Sequence, residues 1–230
     1  MHLPLTRYGL PQVVVYPVFV LVLAILLFVI FKPAWWLIPG EIVLFLVFLW
    51  MLSFFRDPLR KIVPDENVLY SPADGTITDI AEVEGAPETG GLPVRSLRIG
   101  MFLSIFNVHI NRAPCSVRVE KITYKKGRFK NAMDPESSRV NESNDILMTR
   151  LSDPKEKLLV RQISGAIARH IVCEAREAAE YRQGEAFGMI KFGSRTELYL
   201  PAGGEGKYEV AVKIGDPVRA GLTPLIRYYP

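Results

Sequence analysis

The chain contains the segment Gly188-Met189-Ile190-Lys191-Phe192-Gly193-Ser194-Arg195-Thr196-Glu197-Leu198. Apolar and β-branched residues run up to Gly193-Ser194 and continue after it, which predicts two strands joined by a tight turn. Glycine permits the backbone angles that such a turn needs, and a small polar residue suits the next position. Taken alone, the pair indicates a β-hairpin.

Other segments on both sides of this hairpin have the same β-rich character. They are separated by Gly, Pro, Asn and Asp, and no strong helical period follows Phe55 except in a short predicted helix at residues 128–139. This pattern predicts a mainly β (α+β) fold, an antiparallel domain partly closed as a barrel or sandwich. The predicted strands lie at residues 76–83, 94–110, 117–124, 146–151, 158–163, 188–200 and 208–214.

The N-terminal part is strongly apolar. Residues 11–31 carry no charge, and about 20 such residues match the length of a helix that crosses a bilayer. A second apolar run at residues 42–55 follows the break at Pro39-Gly40. This run crosses the membrane if its helix starts near Ala34, and otherwise it is re-entrant or interfacial. We predict an N-terminal transmembrane helical hairpin.

Charges and prolines around the apolar runs predict the topology and the boundaries. Arg7 precedes the first run, and Arg56, Arg60 and Lys61 follow the second, so the positive-inside rule places both ends in the cytoplasm. Prolines after the second run cannot continue a helix and indicate a stiff connector. We therefore expect a membrane anchor at residues 1–55, a connector at 56–66 and a β-rich domain at 67–230, on the cytoplasmic side of the cell membrane.

Composition argues against several classes of protein. The net charge of +4 is mild and the basic residues are interspersed with acids, which argues against nucleic-acid binding. The 2 cysteines, Cys115 and Cys173, lack the spacing of a zinc site, so we predict neither a metal site nor a disulfide framework. The basic run at residues 125–130 fits either a solvated loop or a contact with anionic lipid.

Three polar residues interrupt apolar or strand-like surroundings: Asp74, His109 and Ser194. Asp74 also fits an Asx-turn before Gly75, and His109 also fits a histidine at a strand end. Together the three residue types could form a nucleophile triad, but Ser194 lacks the Gly-x-Ser-x-Gly elbow of an α/β-hydrolase. An α/β-hydrolase is therefore disfavoured.

A strained Gly-Ser turn suits a different use of serine. The Ser194 hydroxyl can attack the Gly193 carbonyl and convert the amide into an ester. Removal of the Ser194 α-proton then eliminates the ester, and the resulting dehydroalanine hydrolyses to an N-terminal pyruvoyl group. Glycine before serine fits this chemistry, because the attack needs room at the carbonyl.

Several motifs in order make the chain similar to phosphatidylserine decarboxylases of the short, bacterial and archaeal-like subfamily, from Phe54 to the C-terminus. Any one motif would be a weak signal, whereas the ordered set is specific. The motifs are Phe54-Phe55-Arg56-Asp57-Pro58, Ser71-Pro72-Ala73-Asp74-Gly75-Thr76-Ile77, Phe106-Asn107-Val108-His109-Ile110-Asn111-Arg112-Ala113-Pro114, Asn131-Ala132 with Asn141-Glu142, Ala168-Arg169 and Ile190-Lys191-Phe192-Gly193-Ser194-Arg195.

The resemblance implies a proenzyme that cleaves itself between Gly193 and Ser194. The products would be a membrane-bound β chain of residues 1–193 and an α chain of residues 194–230 that starts with a pyruvoyl group. These chains would remain together as a heterodimer, and a homo-oligomer is left open. Phosphatidylserine from the membrane would form a Schiff base with the pyruvoyl ketone and lose its carboxylate, giving phosphatidylethanolamine and carbon dioxide.

The resemblance also implies roles for individual side chains. His109 would reprotonate the substrate carbon, and Asp74 would pair with His109 and keep it basic. Arg112 and Arg195 are candidates for the lipid phosphate, since guanidinium binds phosphate bidentately, although a solvated role fits them equally well. His170 is interpreted as structural.

Two alternatives stay open. The same chemistry could act on archaetidylserine, an ether lipid with an identical headgroup. Residues 214–221 also resemble the turn of a biotinyl or lipoyl-like barrel-sandwich hybrid without the carrier lysine, which leaves a non-enzymatic membrane-anchored adaptor as the other possibility.

Overall fold

The computed structural model describes residues 5–31, 38–84, 92, 95–134, 136–166, 170–191, 193–203 and 208–229. The chain divides into two compact units, Met1–Leu59 and Arg60–Pro230.

The first unit contains two apolar helices, α1 at Leu10–Phe31 and α2 at Ile38–Phe54, preceded by a 3-10 turn at Arg7–Gly9. Within α1, Val13–Ile30 is long and apolar enough to cross a membrane, whereas α2 is a shorter apolar helix. The helix α2 begins before the predicted run at residue 42, because proline is tolerated in the first turn, where its missing N–H has no helical partner. The alternative start near Ala34 lies outside the described residues.

The motif Phe54-Phe55 lies at the C-terminal end of α2 in the first unit. Both rings are buried and meet edge to face, with centroids 5.1 Å apart. Gly9 packs directly on Phe55, where an added Cβ would overlap the ring. The Thr6 backbone N–H also donates to the Phe55 carbonyl oxygen at 2.8 Å. The start of the chain is thereby attached to the end of α2.

The second unit is built almost entirely of strands. Its described residues contain one short helix, α3 at Ser137–Val140. The strands are β1 Val68–Tyr70, β2 Gly75–Glu84, β3 Arg95–Leu103, β4 Ile110–Arg112, β5 Val117–Lys125, β6 Ser143–Arg150, β7 Lys157–Ile163, β8 Ile171–Cys173, β9 Glu180–Tyr181, β10 Ala186–Ile190, β11 Ser194–Pro201, β12 Tyr208–Val210, β13 Pro217–Val218 and β14 Pro224–Tyr228.

These strands form three antiparallel sheets. The largest has eight strands in the order β13-β2-β3-β11-β7-β6-β5-β9, and two three-stranded sheets have the orders β4-β10-β8 and β1-β14-β12. The prediction of a mainly β, antiparallel fold is confirmed. The predicted helix at 128–139 is wrong over most of its length, because the Asn131 and Asp134 side chains accept hydrogen bonds from the backbone N–H groups of Met133 and Glu136. Such local bonds favour turns over helix.

The predicted hairpin is correct in its two strands and wrong in their pairing. Strand β10 pairs with β4 and β8, whereas β11 pairs with β3 and β7 in the large sheet. Gly193 therefore lies where the chain passes from one sheet to another. All eight residues of β11 are buried, and this strand, which begins at Ser194, is held on both sides. The start of β11 is consequently held by β3 at Ser194 and by both β3 and β7 from Arg195 onward.

Candidate active site

Gly193 and Ser194 lie at the junction between the two sheets. Gly193 has a φ of 62°, in the left-handed region that glycine adopts at little cost. Ser194 is fully buried and pairs with Leu103 of β3. Among the residues that the structure describes, none forms a hydrogen bond with the Ser194 hydroxyl. A buried hydroxyl thus directly follows the Gly193 carbonyl in the chain, and it has no hydrogen-bond partner within the described part of the structure.

His109 is fully buried just before β4. Its Nδ1 lies 2.9 Å from the backbone oxygen of Asn107. A carbonyl oxygen only accepts hydrogen bonds, so Nδ1 donates and carries the proton of the neutral ring, and Nε2 is the basic nitrogen. The Ile190 backbone N–H donates to the His109 oxygen at 3.2 Å. This bond attaches His109 to Ile190, the last residue of β10, which precedes Gly193 by three positions.

Asp74 forms an ion pair with Arg60. The sequence pattern identifies Arg60 only as a positive charge that follows the second apolar run. Arg60 donates to both carboxylate oxygens of Asp74, at 2.7 and 2.8 Å, and the Ala220 backbone N–H adds a third bond at 2.8 Å. The side chains of Arg60 and Asp74 are only 6% and 10% exposed. The expected pairing of Asp74 with His109 is not among the hydrogen bonds of Asp74 in this structure. Arg60 and Ala220 donate to the carboxylate instead, and the His109 Nδ1 is directed to the Asn107 oxygen.

A chain of buried amides and hydroxyls joins the site segments. The Asn111 side chain donates to the Thr196 hydroxyl at 3.1 Å and accepts from Gln162 at 2.9 Å. The Arg112 backbone N–H donates to the Pro72 oxygen at 2.9 Å. The strand after His109 is therefore bonded both to the strand that begins at Ser194 and to the loop that carries Asp74. These bonds bring the three predicted segments together.

Arg195 is enclosed by acidic groups and a hydroxyl. Its Nε donates to Glu197 at 2.7 Å, its Nη1 donates to Thr78 at 2.9 Å, and its Nη2 pairs with Asp79. Burial alone would raise the pKa of Asp79, but Arg195 and Arg98 lower it below its usual value. Because all three nitrogens of Arg195 donate within the protein, the geometry gives no support to its predicted role as a phosphate ligand.

The remaining basic candidates have simpler surroundings. Arg112 is half-buried, and its Nη1 donates to the Gly184 backbone oxygen at 3.1 Å. His170 is exposed, and its backbone oxygen accepts from the Lys191 N–H at 3.3 Å. Lys191 is buried two residues before Gly193, and desolvation lowers its pKa. Sequence reasoning did not single out Lys191, because a lysine in a strand usually extends into solvent.

No group of three or more His, Cys, Asp and Glu side chains in the described part of the chain is arranged to hold a metal ion. Cys115 is buried, and desolvation raises the pKa of its thiol to about 12. A thiol of this kind is not a nucleophile at neutral pH. The Ser194 hydroxyl and the His109 imidazole belong to the chemical types that can act as a nucleophile and as a proton carrier.

The chain is similar to known proteins over most of its length. The family profile described as phosphatidylserine decarboxylase matches residues 47–225. A protein of Pelagibacter ubique named phosphatidylserine decarboxylase proenzyme is 41% identical over 78% of this chain and 80% of its own length. Proteins with the same name from Rhodopirellula baltica and Carboxydothermus hydrogenoformans are 38% and 42% identical, over 98% and 81% of this chain and 89% and 83% of their own lengths.

Proposed function

The chain belongs to the phosphatidylserine decarboxylase family, and we propose that it converts phosphatidylserine into phosphatidylethanolamine and carbon dioxide with a pyruvoyl group made from its own Ser194. The observation that carries this proposal is the buried Ser194 hydroxyl, which follows a left-handed glycine and has no hydrogen-bond partner among the described residues. A buried hydroxyl without a hydrogen bond lowers the stability of the folded state, so folding by itself gives no reason to place a serine there. Such a position suits a side chain that is consumed in a reaction.

Self-cleavage uses only this chain and water. The Ser194 oxygen bonds to the Gly193 carbonyl carbon and the C–N bond breaks, so the amide becomes an ester. Removal of the Ser194 α-proton expels the Gly193 carboxylate and leaves dehydroalanine at position 194. Water then replaces its nitrogen, which leaves as ammonia. The products are a β chain of residues 1–193 and an α chain of residues 194–230, which stay together as a heterodimer.

His109 is the proton carrier in this proposal. Its Nδ1 donates to the Asn107 oxygen, which orients the ring and makes Nε2 the nitrogen that accepts and returns protons in this proposal. A positioned acid or base of this kind contributes typically about 10²–10⁴-fold. Once formed at position 194, the pyruvoyl group would supply a ketone for the substrate amine and an acceptor for the electrons of the leaving carboxylate. We assign His109 Nε2 to return a proton to the substrate carbon.

Asp74 and Arg112 have supporting roles near Ser194 and His109 in this proposal. The bonds of Asp74 to Arg60 and Ala220 support a role in positioning the loop next to β4. Arg112 is our candidate for the lipid phosphate, since its side chain is half-buried at the end of the strand that follows His109. A guanidinium can bind phosphate through two parallel hydrogen bonds.

We place the enzyme at the cell membrane with its catalytic domain in the cytoplasm. The helix α1 has the length and composition of a membrane span. Arg7 precedes the helices and Arg56 follows them, and such flanking positive charge favours the cytoplasmic side. Membrane attachment suits a substrate whose acyl chains stay in the bilayer.

Carbon dioxide release tests the proposed reaction. The full-length chain in mixed micelles, supplied with phosphatidylserine labelled in the headgroup carboxylate, should release labelled carbon dioxide and form phosphatidylethanolamine. The Ser194→Ala variant should release none, and release by this variant would reject the cofactor assignment. A parallel reaction with archaetidylserine measures whether an ether lipid with the same headgroup is accepted. If a processed wild-type enzyme leaves phosphatidylserine unchanged, the substrate assignment is wrong.

A further inference from the structure

A close main-chain contact lies at the carbonyl group of Gly193. A Cβ atom added to Gly165 would overlap the Gly193 carbonyl oxygen and would lie 2.9 Å from its carbonyl carbon. Both partners belong to the backbone, so no flexible side chain can move aside. Only glycine at position 165 lets the carbonyl lie where it does.

The register of the large sheet explains this contact. Strands β7 and β11 are antiparallel, and Ile163 lies opposite Arg195. Each step beyond Ile163 therefore meets one step before Arg195, so Gly165 comes opposite Gly193. Because β11 is held between β3 and β7, the sheet itself brings Gly165 to the scissile bond.

The segment before Gly165 is anchored by Asn141. The Asn141 side-chain N–H group donates to the backbone oxygens of Ser164 and Lys130, both at 2.8 Å. The Ser164 backbone N–H donates to the Glu142 oxygen at 2.9 Å. These bonds fix Ser164, the residue directly before Gly165, to the segments that contain Lys130 and Asn141-Glu142. The contact is therefore between two fixed backbones.

We propose that Gly165 is a positioning residue for self-cleavage, because it sets where the Gly193 carbonyl lies relative to the Ser194 hydroxyl. This inference rests on the proposed self-cleavage. As the Ser194 oxygen bonds to the Gly193 carbon and the C–N bond breaks, the carbonyl oxygen remains against the Cα atom of Gly165. A displacement of reacting atoms by about 1 Å can slow a reaction about 10²-fold. A side chain at position 165 forces a displacement of that kind.

This role ends when the bond is broken. After cleavage Gly193 is the free C-terminus of the β chain, and its carboxylate can move away from residue 165. Residue 165 should therefore control the rate of maturation and leave turnover by matured enzyme nearly unchanged. A residue needed only for folding would affect maturation and turnover together.

The experiment follows the full-length chain synthesised in the presence of phospholipid vesicles. The conversion of precursor into two chains is measured by denaturing electrophoresis and mass spectrometry, and turnover is measured per pyruvoyl group. We expect Gly165→Ala to mature about 100-fold more slowly than wild type, and its matured fraction to turn over within about twofold of wild type. Gly9→Ala is the control for packing damage away from the scissile bond, because its Cβ would overlap the Phe55 ring in the first unit.

Several outcomes would overturn the assignment. They are maturation of Gly165→Ala within about threefold of wild type, a loss of turnover per pyruvoyl group as large as the maturation defect, or an equal maturation defect in Gly9→Ala. Folding is checked separately in the Ser194→Ala precursor. If adding Gly165→Ala abolishes its cooperative melting, Gly165 serves folding and the proposal fails. A wild-type chain that never matures would instead reject the proposed self-cleavage itself.

Discussion

The buried pair of Arg60 and Asp74 predicts a large effect from one substitution in the connector. Replacing Arg60 with methionine keeps an unbranched side chain but removes the guanidinium, and it leaves the Asp74 carboxylate buried without two of its three hydrogen bonds. Removing one partner of a buried ion pair typically costs about 3–5 kcal/mol. We expect the free energy of unfolding of the second unit to fall by about that amount, and Arg60→Lys to lie between, because lysine cannot form the two-pronged contact.

The assay is urea unfolding in detergent of precursors that carry Ser194→Ala, so that cleavage does not change the molecule during the measurement. The control is Arg95→Met, which removes an ion pair to Glu82 in which the two side chains are 66% and 60% exposed. Exposed pairs of this kind contribute less than about 1 kcal/mol. If Arg60→Met destabilises the precursor no more than Arg95→Met, the ion pair between Arg60 and Asp74 does not stabilise the second unit.

Three further predictions concern charge and proton transfer. Burial raises the pKa of Glu156 to about 7, so the folded state is stabilised by the protonated carboxyl and loses this stability as the pH rises through about 7. Glu156→Gln in the Ser194→Ala precursor should therefore flatten the fall in melting temperature between about pH 5 and 8. An unchanged profile would contradict this. His109→Ala should slow maturation by at least about 100-fold, measured as precursor remaining in a chase, and maturation at the wild-type rate would remove His109 from the proposal. Arg195→Met should destabilise the precursor by about 3 kcal/mol or more, because the fully buried Glu197 loses its arginine partner; a matured Arg195→Met enzyme of normal stability with only a raised KM for lipid would instead indicate a phosphate ligand.

Much of the fold is visible in the local pattern of the sequence. The predicted strands at 117–124 and 158–163 correspond to β5 at Val117–Lys125 and β7 at Lys157–Ile163. A strand is rich in apolar and β-branched residues and is bounded by turn residues, so the local pattern is enough to identify it. It carries no information about which distant strand becomes the partner. That is why the segment around Gly193 was predicted as a hairpin, although its two strands belong to different sheets.

The site was predictable only in part, for a related reason. Ser194, His109 and Asp74 stand in motifs whose order along the chain is informative, and the structure brings these segments together. The bond between Arg60 and Asp74 depends on how the connector folds back, which no local pattern encodes. Gly165 follows a predicted strand, and there a glycine by itself indicates only a loop. Its proximity to Gly193 emerges once β7 and β11 are in register.

The most direct measurement of the central claim is the mass of the purified full-length protein under denaturing conditions. Self-cleavage predicts two chains split between Gly193 and Ser194, the smaller one starting with a pyruvoyl group that reacts with a carbonyl reagent and blocks N-terminal sequencing. The Ser194→Ala variant should remain a single chain. A wild-type protein found only as an intact 25.9 kDa chain with unmodified Ser194 would contradict the account.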